Sequence, residues 1–121
     1  MARRQRIFLT HSGVGVADAA RGGPVWQCQW EEVREVVAWK VDVFTYDVIC
    51  IGFRISDEAK YLFVSEEAAG YGELLAALKY QYGIRLQDWF QQVAFPAFRE
   101  NWTVLWSERN EARGVCMARE E

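Results

Sequence analysis

Lys40, Asp42, Thr45 and Asp47 are the nearest thing to a chemical constellation in this chain of 121 residues. Lys40 and Asp42 stand two apart, so on a strand both side chains point to the same side. Thr45 and Asp47 fall on the connection that follows. Two carboxylates beside an ammonium suit a recognition edge or part of a cation site. Hard cations, however, demand more oxygen ligands than these residues supply. Asp and Thr in a turn ordinarily bond their own loop backbone, so turn chemistry with an ion pair accounts for the same four residues. They are the candidate binding residues, and none of them has a catalytic partner.

The other reactive groups are isolated. His11 is the only histidine. A multi-histidine metal site is therefore ruled out, and any Ser-His-Asp set would have to centre on a residue that sits in a turn. Cys28, Cys50 and Cys116 form no CxxC pair; the first two lie inside apolar strand patterns and read as small buried hydrophobes. Glu66 and Glu67 are adjacent, and at the start of a helix they would point about 100° apart, which suits the helix dipole better than a shared substrate atom. Gly13-Val14-Gly15 lacks the strand-to-helix setting of a dinucleotide fold. No catalytic residue, no metal set and no cofactor is expected.

Large aromatic side chains gather late, at Trp89, Phe90, Phe95, Phe98, Trp102 and Trp106. Trp89 and Val93 share a helix face by their i, i+4 spacing, whereas Phe90 is rotated by about 100°. Either this segment packs into the rest of the domain or it leaves an apolar surface open to a partner or a second copy. Phe90, Trp102 and Trp106 are the expected centre of that interaction surface, and a homodimer is one way to bury it.

The elements that must position these residues follow from periodicity. Strands are expected over 6–11, 14–19, 26–30, 33–43, 48–55 and 60–64, each with apolar residues at period two. His11-Ser12-Gly13 reads as a tight turn with Gly13 at positive φ. Gly52 marks a bulge or bend. In the fourth strand Val37, Trp39, Val41 and Val43 read as the core face, and Ala38, Lys40 and Asp42 as the wet one. Ser65 reads as an N-cap, opening a helix through Tyr82 that packs Tyr71, Leu74, Leu75 and Leu78 and stops at Gly83. Gly70 and Gly72 in its first turns imply close approach to the sheet. A shorter helix is expected over 87–93, then a strand or irregular segment over 101–106. Residues 1–106 read as one domain and 107–121 as a polar, mobile tail. The fold class is α+β: a curled antiparallel sheet, or partly open barrel, of five to seven strands capped by a helix.

That pattern resembles the pleckstrin-homology-like superfamily, in particular its small bacterial and GRAM-type members. The resemblance rests on the hairpin Phe8-Leu9-Thr10-His11-Ser12-Gly13-Val14, the step Trp30-Glu31-Glu32-Val33-Arg34-Glu35-Val36, and the helix after the last strand; it covers roughly residues 6–82. It implies a PH-like fold. It does not carry over lipid binding, because the first hairpin turn has no lysine, and the segment after residue 85 goes beyond the usual single helix.

Charge narrows the function classes. Seventeen acidic residues against fourteen basic ones give a net charge of −3, which argues against a general nucleic-acid binder or an anionic-membrane reader. With no apolar run long enough for a signal peptide and no membrane-spanning segment, a bacterial cytoplasm is the expected compartment. The expected function is a non-enzymatic module that binds another protein, or an inhibitor or immunity-type protein whose acidic surface steers it to a basic target. The alternative is a small-molecule binder or enzyme with a pocket between sheet and helix, using Lys40, Asp42 or Asp47.

Overall fold

The computed structural model describes residues 5–18, 20, 22–42, 46–95 and 101–108. Within them the chain is α+β, with two antiparallel sheets and two α-helices. Strands β1 (Gln5–Leu9), β2 (Gly13–Asp18) and β3 (Gly23–Gln29) form a three-stranded meander. Strands β4 (Glu35–Asp42), β5 (Asp47–Arg54), β6 (Leu62–Ser65) and β7 (Thr103–Ser107) form a second sheet in the order β6-β5-β4-β7. Helices α1 (Tyr71–Tyr82) and α2 (Leu86–Ala94) lie between β6 and β7 in sequence. The expected strands are all present, but they pair as two sheets rather than one continuous sheet, and no closed barrel forms among the described residues. No described helix is long and apolar enough to cross a membrane.

Local chemistry explains where the elements begin and end. The break between β3 and β4 is a turn of 3-10 helix at Trp30–Glu32, where the Glu32 carboxylate accepts the Gln29 N–H at 2.8 Å. Gly13 does not take positive φ; a Cβ there would lie 2.3 Å from the Cys28 carbonyl oxygen, so the glycine is needed for the close approach of β3. The largest departure from expectation concerns α1. Ser65 ends β6 opposite Cys50, and its Oγ accepts the Glu67 N–H in a turn. Helix α1 starts only after Gly70, whose φ of 93° belongs to the left-handed region. Gly70 also lies against β1, where a Cβ would meet the Ile7 oxygen at 2.8 Å, whereas Gly72 has open space around it. Gly83, with φ 72°, closes the helix as expected, its N–H bonded to the Lys79 carbonyl at 2.9 Å.

The core joins all of these parts. Ile7, Val14, Val16 and Cys28 of the meander face Val36, Ala38, Ile51 and Phe53 of the second sheet, and Leu74, Leu78, Trp89 and Val93 from the helices fill the remaining side. The two sheets are linked where the Trp26 indole N–H donates to the Phe63 carbonyl at 3.2 Å, its ring beside Phe53. At the other margin the Tyr82 hydroxyl donates to the Trp30 carbonyl at 2.8 Å, and its ring packs on Trp106.

The thiols report on this core. Burial, aided by Glu32 for Cys28 and by Glu66 and Glu67 for Cys50, pushes both thiols from 9.0 up to about 11. A thiol that holds its proton to higher pH when folded than when unfolded contributes stability below the unfolded value and loses it as pH rises through the folded one. We expect the urea midpoint to fall as pH rises from 9.0 to about 11, and to fall less in the Cys28→Ala/Cys50→Ala variant. An equal fall in both proteins would show that the thiols are not responsible.

Candidate functional site

The face of β4 that was expected to be wet is the buried one. Val36 and Ala38 are fully enclosed and Lys40 is 5% exposed, all on the side that meets the helices. Helix α2 covers this side and supplies a reason for the lysine: Lys40 Nζ donates to the Ala94 carbonyl at 2.7 Å and lies 3.2 Å from Asp47 Oδ2. A cation at the last turn of a helix meets the negative end of its dipole. Asp42 and Asp47 are Cα partners closing the β4–β5 hairpin, and Thr45 lies outside the described residues. Of the candidate binding residues, Lys40 is buried and paired with Asp47, while Asp42 is exposed. Lys40 and Asp47 fasten α2 to the sheet.

Among the described residues no helix lies on the opposite face of the second sheet, which gathers rings. On β4, Glu35, Val37, Trp39 and Val41 point that way, with Arg54, Gly52, Cys50 and Val48 beside them on β5. Trp39 lies over Gly52, where a Cβ would come within 2.7 Å of its Cζ3. Gly52 pairs in regular register with Val37 and Phe63, so it marks no bulge and provides space for the indole. Trp102 stacks on Trp39 with centroids 5.0 Å apart and planes 18° apart. Tyr61 meets Trp102 edge-on at 5.2 Å, and Phe63 flanks Trp39 at 5.8 Å. Phe63 stays 54% exposed and Trp102 45%, with Val41 and Val104 exposed beside them. Gly52→Val is expected to displace Trp39 from this ladder while leaving the fold intact, since the obstructing atoms are the end of a side chain. Near-ultraviolet circular dichroism would lose the coupled-indole signal while the far-ultraviolet spectrum stayed unchanged; an unchanged near-ultraviolet band would refute the stacking.

A polar cleft adjoins the ladder at the Glu35 end. Glu35 Oε1 accepts from Tyr61 Oη at 2.6 Å and from Arg54 Nε at 3.1 Å. Arg54 also donates to the Ser56 carbonyl, and Arg34 pairs with Asp57 and, at 3.8 Å, with Glu108. Arg34, Glu35, Arg54, Asp57 and Glu108 line a cleft of about 650 Å³ together with Val104 and Ser107. Burial and the bond to Glu35 raise the Tyr61 phenol, and the bond to Glu35 raises Arg54. Both groups stay protonated at neutral pH.

The expected interaction surface is divided by the sheet. Trp102 stands on the open face. Trp106, opposite Val36, stands on the core face against Tyr82, with ring centroids 4.3 Å apart. Phe90 lies on the outside of α2, next to buried Trp89. These three residues do not make one patch, so a dimer centred on all of them does not fit. Phe98 lies outside the described residues. His11 is exposed in the β1–β2 turn. Among the described residues no three His, Cys, Asp or Glu side chains gather into a set that could hold a metal ion.

Sequence reasoning passed over Tyr61, Phe63, Glu35 and Arg54, and read Gly52 as a bulge or bend instead of space for Trp39. The signal for them was the period-two alignment of Tyr61 and Phe63 with Trp39 across β5, which becomes visible once the face of β4 is assigned correctly. Compared with protein-family models, with curated proteins and with solved structures, the chain matches none.

Proposed function

We propose that this chain is a non-enzymatic binding module that recognises another protein through the open face of its four-stranded sheet. The observation that carries this reading is the ladder of Phe63, Trp39, Trp102 and Tyr61, a contiguous aromatic surface rimmed by polar groups, with Phe63 and Trp102 about half exposed and no described helix over it. Interfaces are built this way, with aromatic anchors at the centre and charged groups at the edge.

Three further features support it. The groups with resolved shifts, Cys28, Cys50, Tyr61, Tyr71, Tyr82 and Arg54, all move upward and so stay protonated at neutral pH, whereas acid–base catalysis favours pKa values near the operating pH. The space between sheet and helices is filled by Leu74, Leu78, Val36 and Val93, which weighs against a ligand pocket there. The excess of acidic residues would steer the module toward a basic partner, in keeping with an inhibitor or immunity-type role in a bacterial cytoplasm. A PH-like ancestry is supported by the opening meander, the antiparallel pairing and the helix after β6, while α2 and β7 are additions to it.

Photo-crosslinking from inside the native cell tests the reading. A benzophenone side chain at Phe63 should capture one dominant protein, and the same group at Tyr80, 86% exposed on α1, should not. Capture at Tyr80 alone would move the binding surface to the helices. Substrate turnover in a broad hydrolase and transferase screen, lost on point substitution, would overturn the non-enzymatic assignment.

A further inference from the structure

We infer that the corner between α1 and α2 binds a short aliphatic carboxylate, held by the first turn of α2, the Lys79 ammonium and the Trp89 indole N–H. This site is separate from the aromatic face and does not depend on it. A cleft of about 200 Å³ opens between the last turns of α1 and the first turn of α2. Leu75, Leu78, Ile84 and Leu86 give it an apolar wall, and Lys79, Arg85 and Trp89 line it as well. The volume is that of roughly seven waters, room for a short chain and too little for a nucleotide.

Independent observations converge on an anion here. Helix α2 begins after Arg85 with no side-chain cap, so the N–H groups of Leu86 and Gln87 are left for a ligand. The carbonyls ending α1 offer little competition, because the Gly83 N–H bonds the Lys79 carbonyl at 2.9 Å and the Ile84 N–H bonds the Leu78 carbonyl at 3.3 Å. Trp89 is 4% exposed, and its buried Nε1–H has no hydrogen-bond acceptor. Buried polar groups are nearly always partnered, so this donor calls for a bound acceptor. Helical side chains lean toward the N-terminus of their helix, which sets the indole over the same first turn. Among the described residues Lys79 forms no ion pair. Asp88, the acidic residue of that turn, pairs with Arg85 at 3.4 Å and does not line the cleft. The apolar wall favours an aliphatic carboxylate over inorganic phosphate, which would lose hydration against it without return.

The test titrates the full chain, labelled with nitrogen-15, with hexanoate, hexanol, hexylammonium, inorganic phosphate, and a leucine-terminated peptide as its free acid and its amide. Hexanoate should move the Trp89 indole signal and the Leu86 and Gln87 amide signals, and the movement should saturate. Hexanol and hexylammonium should bind at least about tenfold more weakly, the worth of a charge-assisted hydrogen bond. Lys79→Ala and, separately, Trp89→Phe should each weaken hexanoate by about tenfold. Lys79 is exposed, so that variant keeps the test open if Trp89→Phe disturbs the core. Hexanol as tight as hexanoate, phosphate tighter than hexanoate, no movement of the three signals, or parent-like affinity in either folded variant would overturn the inference. Hexanoate outbinding the peptide acid would support a free small molecule as the source of the carboxylate. A peptide acid that outbinds both its amide and hexanoate would support the same chemistry at the end of a protein chain.

Discussion

Phe53→Ala should destabilise the fold by about 3–5 kcal/mol, the range for emptying a fully enclosed aromatic site. Phe53 is completely buried, and its ring meets Trp26 at 5.9 Å, where the two sheets come together. Its backbone neighbours are Val36 on β4 and Leu62 on β6, so the cavity would open in the middle of the second sheet with no flexible element nearby to collapse into it. Domains of this kind have total stabilities of about 5–15 kcal/mol, so the loss takes a large share and should be evident in a urea titration. A change below about 0.5 kcal/mol, the size of ordinary surface substitutions, would place Phe53 outside the core and remove the contact between the sheets.

Lys40→Met should cost about 3–5 kcal/mol, the penalty for breaking a buried ion pair from one side. Methionine keeps the volume of the side chain but loses the bond to the Ala94 carbonyl and the charge opposite Asp47. Asp47→Asn in the same protein should recover part of the loss, because a buried carboxylate is then no longer left beside an apolar side chain. The double-mutant cycle separates this structural role from a recognition role. If Lys40 served only an outside ligand, the substitution would leave the urea midpoint unchanged.

Much of the architecture was legible in the sequence, and the errors have physical causes. Trp26-Gln27-Cys28-Gln29 alternates cleanly because β3 has one wet face, with both glutamines exposed and Cys28 buried. Strand β4 misled because both of its faces are largely covered. Val36 and Ala38 meet the core, while on the other face Val37 is fully enclosed and Trp39 stacks within the ring ladder. Alternation then no longer distinguishes inside from outside, and the larger side chains were assigned to the wrong face. Lys40 read as solvated because its partner Ala94 is distant in sequence and is delivered only by α2. Ser65 read as a helix cap for a sound reason, since its hydroxyl does accept an N–H two residues on, but the bond serves a turn. Glu66 there accepts the Ile49 N–H at 2.9 Å and so prolongs the β5–β6 pairing instead of opening a helix.

The candidate site was less legible than the fold. Its members come from β4, β5, β6 and its approach, and the approach to β7, and no local pattern joins Trp39 to Trp102. The late aromatics did signal surplus apolar surface. What they could not show is that the sheet separates Trp102 from Trp106, which follows from the register shift between Val36 and Val37 where β7 pairs with β4.

The most direct test of the docking face is the affinity of the protein captured at Phe63 for three variants of the full chain: Phe63→Glu, Trp102→Ala and Phe90→Glu. Loss of a central aromatic anchor should weaken binding on the order of tenfold or more. Phe63→Glu and Trp102→Ala should therefore fall by at least that factor with unchanged urea midpoints, and Phe90→Glu on α2 should bind as the parent does. Unchanged affinity in the first two, with binding abolished by Phe90→Glu, would contradict the assignment and place the interaction on the helices.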